Sequence, residues 1–235
     1  MNLSDMKFKY YYNQIPGGDQ WRNNLIYTSL INEDQTVFVQ HYVNDSDYHK
    51  GMNEVIDPAL MNDKWTRELC WLNHMALHHP DSIPKILDID LIEKKIYFEI
   101  DGPDLWQRSL ANNNCSFDDI LPDWQDQMLA IVETHHSEGL YKYSMHPSSY
   151  FIVNGKLKSI NYFFAHHETE KTITIESFLS HISQNRRKEL VKYSGSLGID
   201  WQKPTDLKLI QRLCWDSFRT NYPADFIEKA IACIK

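Results

Sequence analysis

Thr134–Ala165 reads T-H-H-S-E-G-L-Y-K-Y-S-M-H-P-S-S-Y-F-I-V-N-G-K-L-K-S-I-N-Y-F-F-A. Its decisive part is Asn154-Gly155, set between Tyr150–Val153 and Lys156–Tyr162. A type I′ two-residue hairpin turn needs φ > 0 at both central residues, and Asn-Gly meets that need at least steric cost. The spacing therefore predicts a β-hairpin. Upstream, Trp124, Met128, Ile131 and His135 recur at helical spacing. They predict a helix running into the quoted stretch.

Working outward toward the N-terminus, residues 7–12 (K-F-K-Y-Y-Y) are rich in strand-forming aromatics and end at the turn signal Asn13–Gly18. Residues 25–31 and 36–43 read as two more strands, joined by Asn32-Glu33-Asp34-Gln35. Asn44–Asn62 is polar and reads as irregular. Trp65, Leu69, Leu72 and Ala76 then predict a helix capped by Asn62 or Asp63 and ended by His78-His79-Pro80. Residues 85–91 and 94–100 read as a further strand pair, and 106–111 as a brief helix interrupted by Asn112-Asn113-Asn114. Beyond Ala165, helices are expected at about 174–183, 186–195, 204–219 and 223–234, with Pro204 and Pro223 at helix starts.

Among 235 residues, 42% are hydrophobic and 13% aromatic, enough for one large domain or two small lobes with a substantial core. A net charge of -8 argues against a general nucleic-acid or anionic-membrane surface, because either needs a basic footprint. Cys70, Cys115, Cys214 and Cys233 form no Cys-x-x-Cys pair. They are expected to be reduced thiols acting mostly as small apolar residues. Met1–Asp5 lacks a basic start followed by an apolar run, and no apolar stretch reaches membrane-spanning length. A cytoplasmic protein is expected, without a membrane partner.

On these residues the chain resembles the protein-kinase-like superfamily, including bacterial kinases of small molecules and sugars. That superfamily writes its catalytic loop roughly as G-x-x-H-x-D-x-H-P-x-N-I-L-V and closes it with I-D-F. Gly139, His146 and Pro147 match, and Tyr150-Phe151-Ile152 fits the apolar frame. The resemblance covers about residues 7–165. It implies an α+β, two-lobed fold: residues 1–101 as a small lobe with an antiparallel sheet and one main helix, and 102–235 as a shortened, mainly helical lobe. It also implies that Ser144 stands at the catalytic Asp position, Ser149 at the metal-binding Asn and Asn161 at the second metal-binding Asp. Gln40 stands at the phosphate-gripping Lys, and Glu68 at the helix Glu that pairs with it. Without that Lys, Glu68 is expected to be an ordinary exposed carboxylate. Phe98–Leu105 resembles the interlobe hinge, so the ligand-binding cleft implied by the family comprises Gln40, Glu99, Asp101, Gly102, His146 and Asn161. His135 takes the family's buried structural role.

Phosphoryl transfer needs an oriented hydroxyl, a phosphate clamp and magnesium. Ser144 supplies no carboxylate base, Ser149 and Asn161 offer magnesium only neutral oxygens, and Gln40 lacks the fixed positive charge. Gly17-Gly18 are all that remains of the glycine-rich loop, beside the repelling charge of Asp19. No catalytic residue, cofactor or metal is therefore expected. The chain reads as a pseudokinase that binds an unknown protein or small-molecule partner. The alternative is an atypical phosphotransferase or nucleotidyl transferase using displaced carboxylates such as Glu168 or Glu170. A third reading is an α+β protein whose kinase resemblance is coincidental. The doublets His78-His79, His135-His136 and His166-His167 read as structural or surface side chains, because adjacent histidines point in different directions. No G-x-S-x-G, Walker A or dinucleotide fingerprint is present.

Overall fold

Strand-forming runs between Phe8 and Glu99 build a five-stranded antiparallel sheet and a separate two-stranded one, with one long helix between the strands. In chain order they give β1 (Phe8–Tyr10), β2 (Tyr12–Gln14), β3 (Gln20–Arg22), β4 (Thr28–Asn32), β5 (Val37–His41), helix α1 (Pro58–His78), β6 (Ile86–Asp90) and β7 (Lys95–Glu99). Five of the strands pair in the spatial order β1-β4-β5-β7-β6, each pair antiparallel. The architecture is mixed α+β. A computed structural model describes residues 3–14, 20–22, 26–49, 57–142, 145–170, 192 and 221–233. Gly17–Asp19, Ser144 and the helices expected within 174–219 lie, apart from Lys192, outside the described residues. No helix among the described residues is long and apolar enough to cross a membrane.

The expected single strand over 7–12 is two strands. Register runs Tyr10↔Leu30 in one pairing and Tyr12↔Arg22 in the next, so extra residues interrupt the return limb before Thr28. The β4–β5 turn forms where expected. Asn32 Oδ1 accepts from the backbone N–H groups of Thr36 and Val37, both at 2.8 Å.

α1 starts earlier than the expected caps. Asp57 is the N-cap, its Oδ1 accepting from Ala59 N at 2.9 Å, and Pro58 occupies the first turn. Its inner face is also rotated by about one residue. Met61, Lys64, Trp65, Glu68, Leu72 and Met75 are buried, whereas Ala76 is exposed and Leu69 half-buried. Trp65 anchors this face against Tyr42, with ring centroids 5.3 Å apart.

Two compact units emerge: Met1–Gln127 with Pro147–Phe163, and Met128–His146 with Phe164–Lys235. The first unit also holds α2 (Leu105–Ala111), α3 (Phe117–Ile120) and the start of α4 (Trp124–Ser137). Its hairpin β9 (Tyr150–Val153) and β10 (Lys156–Ser159) turns at Asn154 (φ 51°) and Gly155 (φ 71°), the positive pair that the Asn-Gly spacing predicts. β10 is shorter than expected: Ile160 N still donates in register to Ser149 O at 2.9 Å, but Asn161 then turns left-handed, φ 69°. Aromatic rings link hairpin to sheet: Phe38 lies 5.0 Å from Phe151, and Tyr27 lies 6.0 Å from Phe163.

The second unit pairs β8 (Leu140–Tyr141) with β11 (His166–His167). It ends in α5 (Ala224–Cys233), close to the helix expected at 223–234, whose Phe226, Ile227, Ala230 and Ile231 are buried. Tyr222 Oη donates to Met145 O at 2.9 Å.

Candidate functional site

Asn161 follows β10 and is presented by the left-handed backbone described above, a conformation Asn tolerates better than most residues. Its side chain is a hub. Oδ1 accepts from Tyr27 Oη at 2.6 Å and from Gln40 Nε2 at 2.9 Å, while Nδ2 donates to Ser149 Oγ at 2.8 Å. Gln40 comes from the central strand β5, Tyr27 from the residue before β4, and Ser149 from the turn before β9. All four are buried, with 3% exposure or less. Three residues chosen from sequence, Gln40, Ser149 and Asn161, thus meet through direct hydrogen bonds. Tyr27 was not anticipated; its partner lies 134 residues away, and a Tyr in a strand carries no local mark of such a contact.

Glu68 requires a correction. It is fully buried rather than exposed, because the inward face of α1 is 61/64/65/68/72/75 and not 65/69/72/76. Its charge acts on the phenols around it. Burial, seconded by Glu68, raises the Tyr42 hydroxyl well above its ordinary range. Burial also raises Tyr27, with Gln40 partly opposing and Glu68 adding, and raises Tyr162, where the Ser159 hydrogen bond partly opposes. These phenols stay protonated, so Tyr27 is a fixed donor toward Asn161.

The hinge-like segment lies on the same unit but not in the buried hub. Glu99 is exposed and faces Lys85 at 3.9 Å, and Asp101 is exposed. Gly102 takes φ +87°, and a Cβ there would lie 3.0 Å from Arg108 Nη2. The backbone groups of this segment are engaged: Ile100 N donates to Thr36 O and Gly102 N to Gln35 O, both at 2.9 Å. Arg108 donates from Nη2 to Asp101 O and from Nε to Pro103 O, the latter at 2.9 Å.

Next along the chain, Asp104 caps α2 from a fully buried position that sequence reading did not single out. It accepts from Tyr11 Oη at 2.9 Å and Gln107 N at 2.8 Å. Burial outweighs those donors and pushes its carboxyl up from 3.8 to about 7.

In the second unit, His146 is half-buried, and burial lowers its imidazole to about 4, keeping it neutral at pH 7. His135 is buried, as expected. Lys142, unnoticed in the sequence, is 1% exposed. Glu170 accepts from His167 N at 3.1 Å and faces His166 Nδ1 at 3.0 Å. Among the described residues, no group of three or more His, Cys, Asp or Glu is arranged to hold a metal ion. No protein-family model matches the chain.

Proposed function

We propose that this protein is a catalytically inactive, kinase-like scaffold, a pseudokinase that acts in the cytoplasm by binding a protein or small-molecule partner. Its lobes in this reading are residues 1–101 and 102–235. Three sheet strands, one long helix, two more strands and then a hairpin, in that chain order, support the resemblance.

The observation that carries the reading is the Asn161 hub. The positions that in the family grip phosphate and magnesium carry neutral side chains, and Gln40 and Ser149 both hydrogen-bond to Asn161, with Gln40 Oε1 left buried without a partner. Admitting a triphosphate would break bonds to buried donors, each costing about 1–3 kcal/mol if left unmade. It would also bring anionic charge beside the buried Glu68 with no cation from Gln40 to offset it. Several backbone groups of the hinge-like segment are engaged as well: Ile100 N and Gly102 N donate to Thr36 O and Gln35 O, and Arg108 donates to Asp101 O and Pro103 O.

Phosphate release from millimolar ATP with magnesium tests this. No turnover above buffer is expected. Turnover abolished by Ser144→Ala would overturn the proposal. Turnover abolished by Glu168→Gln or Glu170→Gln would overturn it in favour of an atypical phosphotransferase or nucleotidyl transferase.

A further inference from the structure

The last turns of α1 carry an arrangement that the adjacent histidine doublets conceal. His74 and His78 are four residues apart, so both lie on one ridge of the helix. In a helix, side chains lean back toward the N-terminus, which brings the ring of His78 over the turn that carries His74. Their ring centroids are 4.6 Å apart, with planes tilted by 43°. His78 is exposed and His74 half-buried.

That separation suits chelation. With metal–nitrogen bonds of about 2.1 Å, two imidazoles on one ion in a cis arrangement place their centroids roughly 4.5–5.3 Å apart. The pair also sits at the C-terminal end of a 21-residue helix, where the helix dipole favours a cation. Imidazole is a borderline donor that suits copper, nickel and zinc ions, and the usual affinity order puts Cu2+ first.

We infer that His74 and His78 form a two-imidazole site for a divalent transition-metal cation on the surface of α1. This departs from the expectation of no metal and is independent of the proposed kinase-like reading. Two imidazoles are fewer than the four closed ligands of a structural centre, so among the described residues the pair offers an exchangeable site. His79 is the C-cap, with φ -137° and ψ 56°, and so leaves the helical ridge that carries His74 and His78. Cys70, a free and exposed cysteine, lies one turn before His74 on the same ridge.

Trp71 supplies a reporter, its ring lying 5.7 Å from that of His74. The experiment titrates CuCl2 into the full-length protein in a non-coordinating buffer, reading tryptophan quenching, and repeats the titration calorimetrically with NiCl2. Saturable binding of one equivalent is expected, weakened at least tenfold by His74→Ala and by His78→Ala. His79→Ala should leave it unchanged, and Cys70→Ser should change it less than either histidine variant. Thermal scans without metal check that each variant is folded, as the exposure of His78 predicts. Equal affinity in wild type and His78→Ala, or a loss with His79→Ala as large as with His78→Ala, would overturn the assignment.

Discussion

Replacing Asn161 with alanine removes the hub of the buried site. The substitution deletes the acceptor for Tyr27 Oη and Gln40 Nε2 and the donor to Ser149 Oγ. Two donors are left buried without a partner, each costing about 1–3 kcal/mol. Ser149 loses less, because a hydroxyl can rotate toward another group. Alanine also sits less comfortably than asparagine at φ 69°, a difference of about 1 kcal/mol. The expected loss is about 4 kcal/mol, a large share of the roughly 5–15 kcal/mol that stabilises a folded protein. For a chain of this size, it corresponds to a drop of about 8–16 °C in Tm. Two comparisons separate the causes. Asn161→Gly should cost about 1 kcal/mol less than Asn161→Ala, since glycine accepts the left-handed conformation. Asn154→Ala, at an exposed turn position with φ 51°, should show only the conformational cost of about 1 kcal/mol. Urea titration followed by fluorescence, together with scanning calorimetry, measures all three. If Asn161→Ala costs no more than Asn154→Ala, the buried hub is not holding the site closed and the reasoning fails.

Two other substitutions test neighbouring features. Asp104, raised from 3.8 to about 7, binds its proton more tightly in the folded protein than in the unfolded chain. Its stabilising contribution is therefore complete below about pH 4, declines as pH rises through about 7, and is flat above; about three pK units correspond to at most ~4 kcal/mol. Asp104→Asn keeps the acceptor for Tyr11 and Gln107, so the wild-type-minus-variant difference should fall across that window, and a difference constant with pH would contradict this. Gly102→Ala forces a Cβ to within 3.0 Å of Arg108 Nη2 at φ +87°, whereas Gly155→Ala at φ +71° meets nothing within 4 Å. Both should lose about 1–2 kcal/mol to backbone strain. Gly102→Ala should lose more in denaturant titration, and equal losses would show that Arg108 moves aside freely.

What the sequence made legible was local. Asn154-Gly155 announced its hairpin because its turn chemistry depends on two residues alone, and the β4–β5 turn was equally self-contained. The helix after the third sheet strand was recognisable, yet its inward face was not. A shift of one residue leaves the apolar spacing of Trp65 and Leu72 intact while carrying Glu68 from solvent to core, and only packing against Tyr42 selects between the two faces. The Asn161 hub illustrates the same limit. Alignment to a family pattern brought Gln40, Ser149 and Asn161 together on paper, but Tyr27 joins them through tertiary structure, as Tyr11 joins Asp104 across 93 positions. His74-Met75-Ala76-Leu77-His78 is itself a His-x-x-x-His spacing, so the expectation that no such pair accompanies the doublets is corrected: on a helix it joins histidines one turn apart.

Calorimetric titration of the purified protein with ATP, with and without magnesium, tests the central claim most directly. A site closed by its own hydrogen bonds should give no heat at millimolar nucleotide under either condition. Magnesium-dependent binding would contradict it, because acidic groups would then be supplying a metal site beside the hydrogen-bonded Tyr27, Gln40, Ser149 and Asn161.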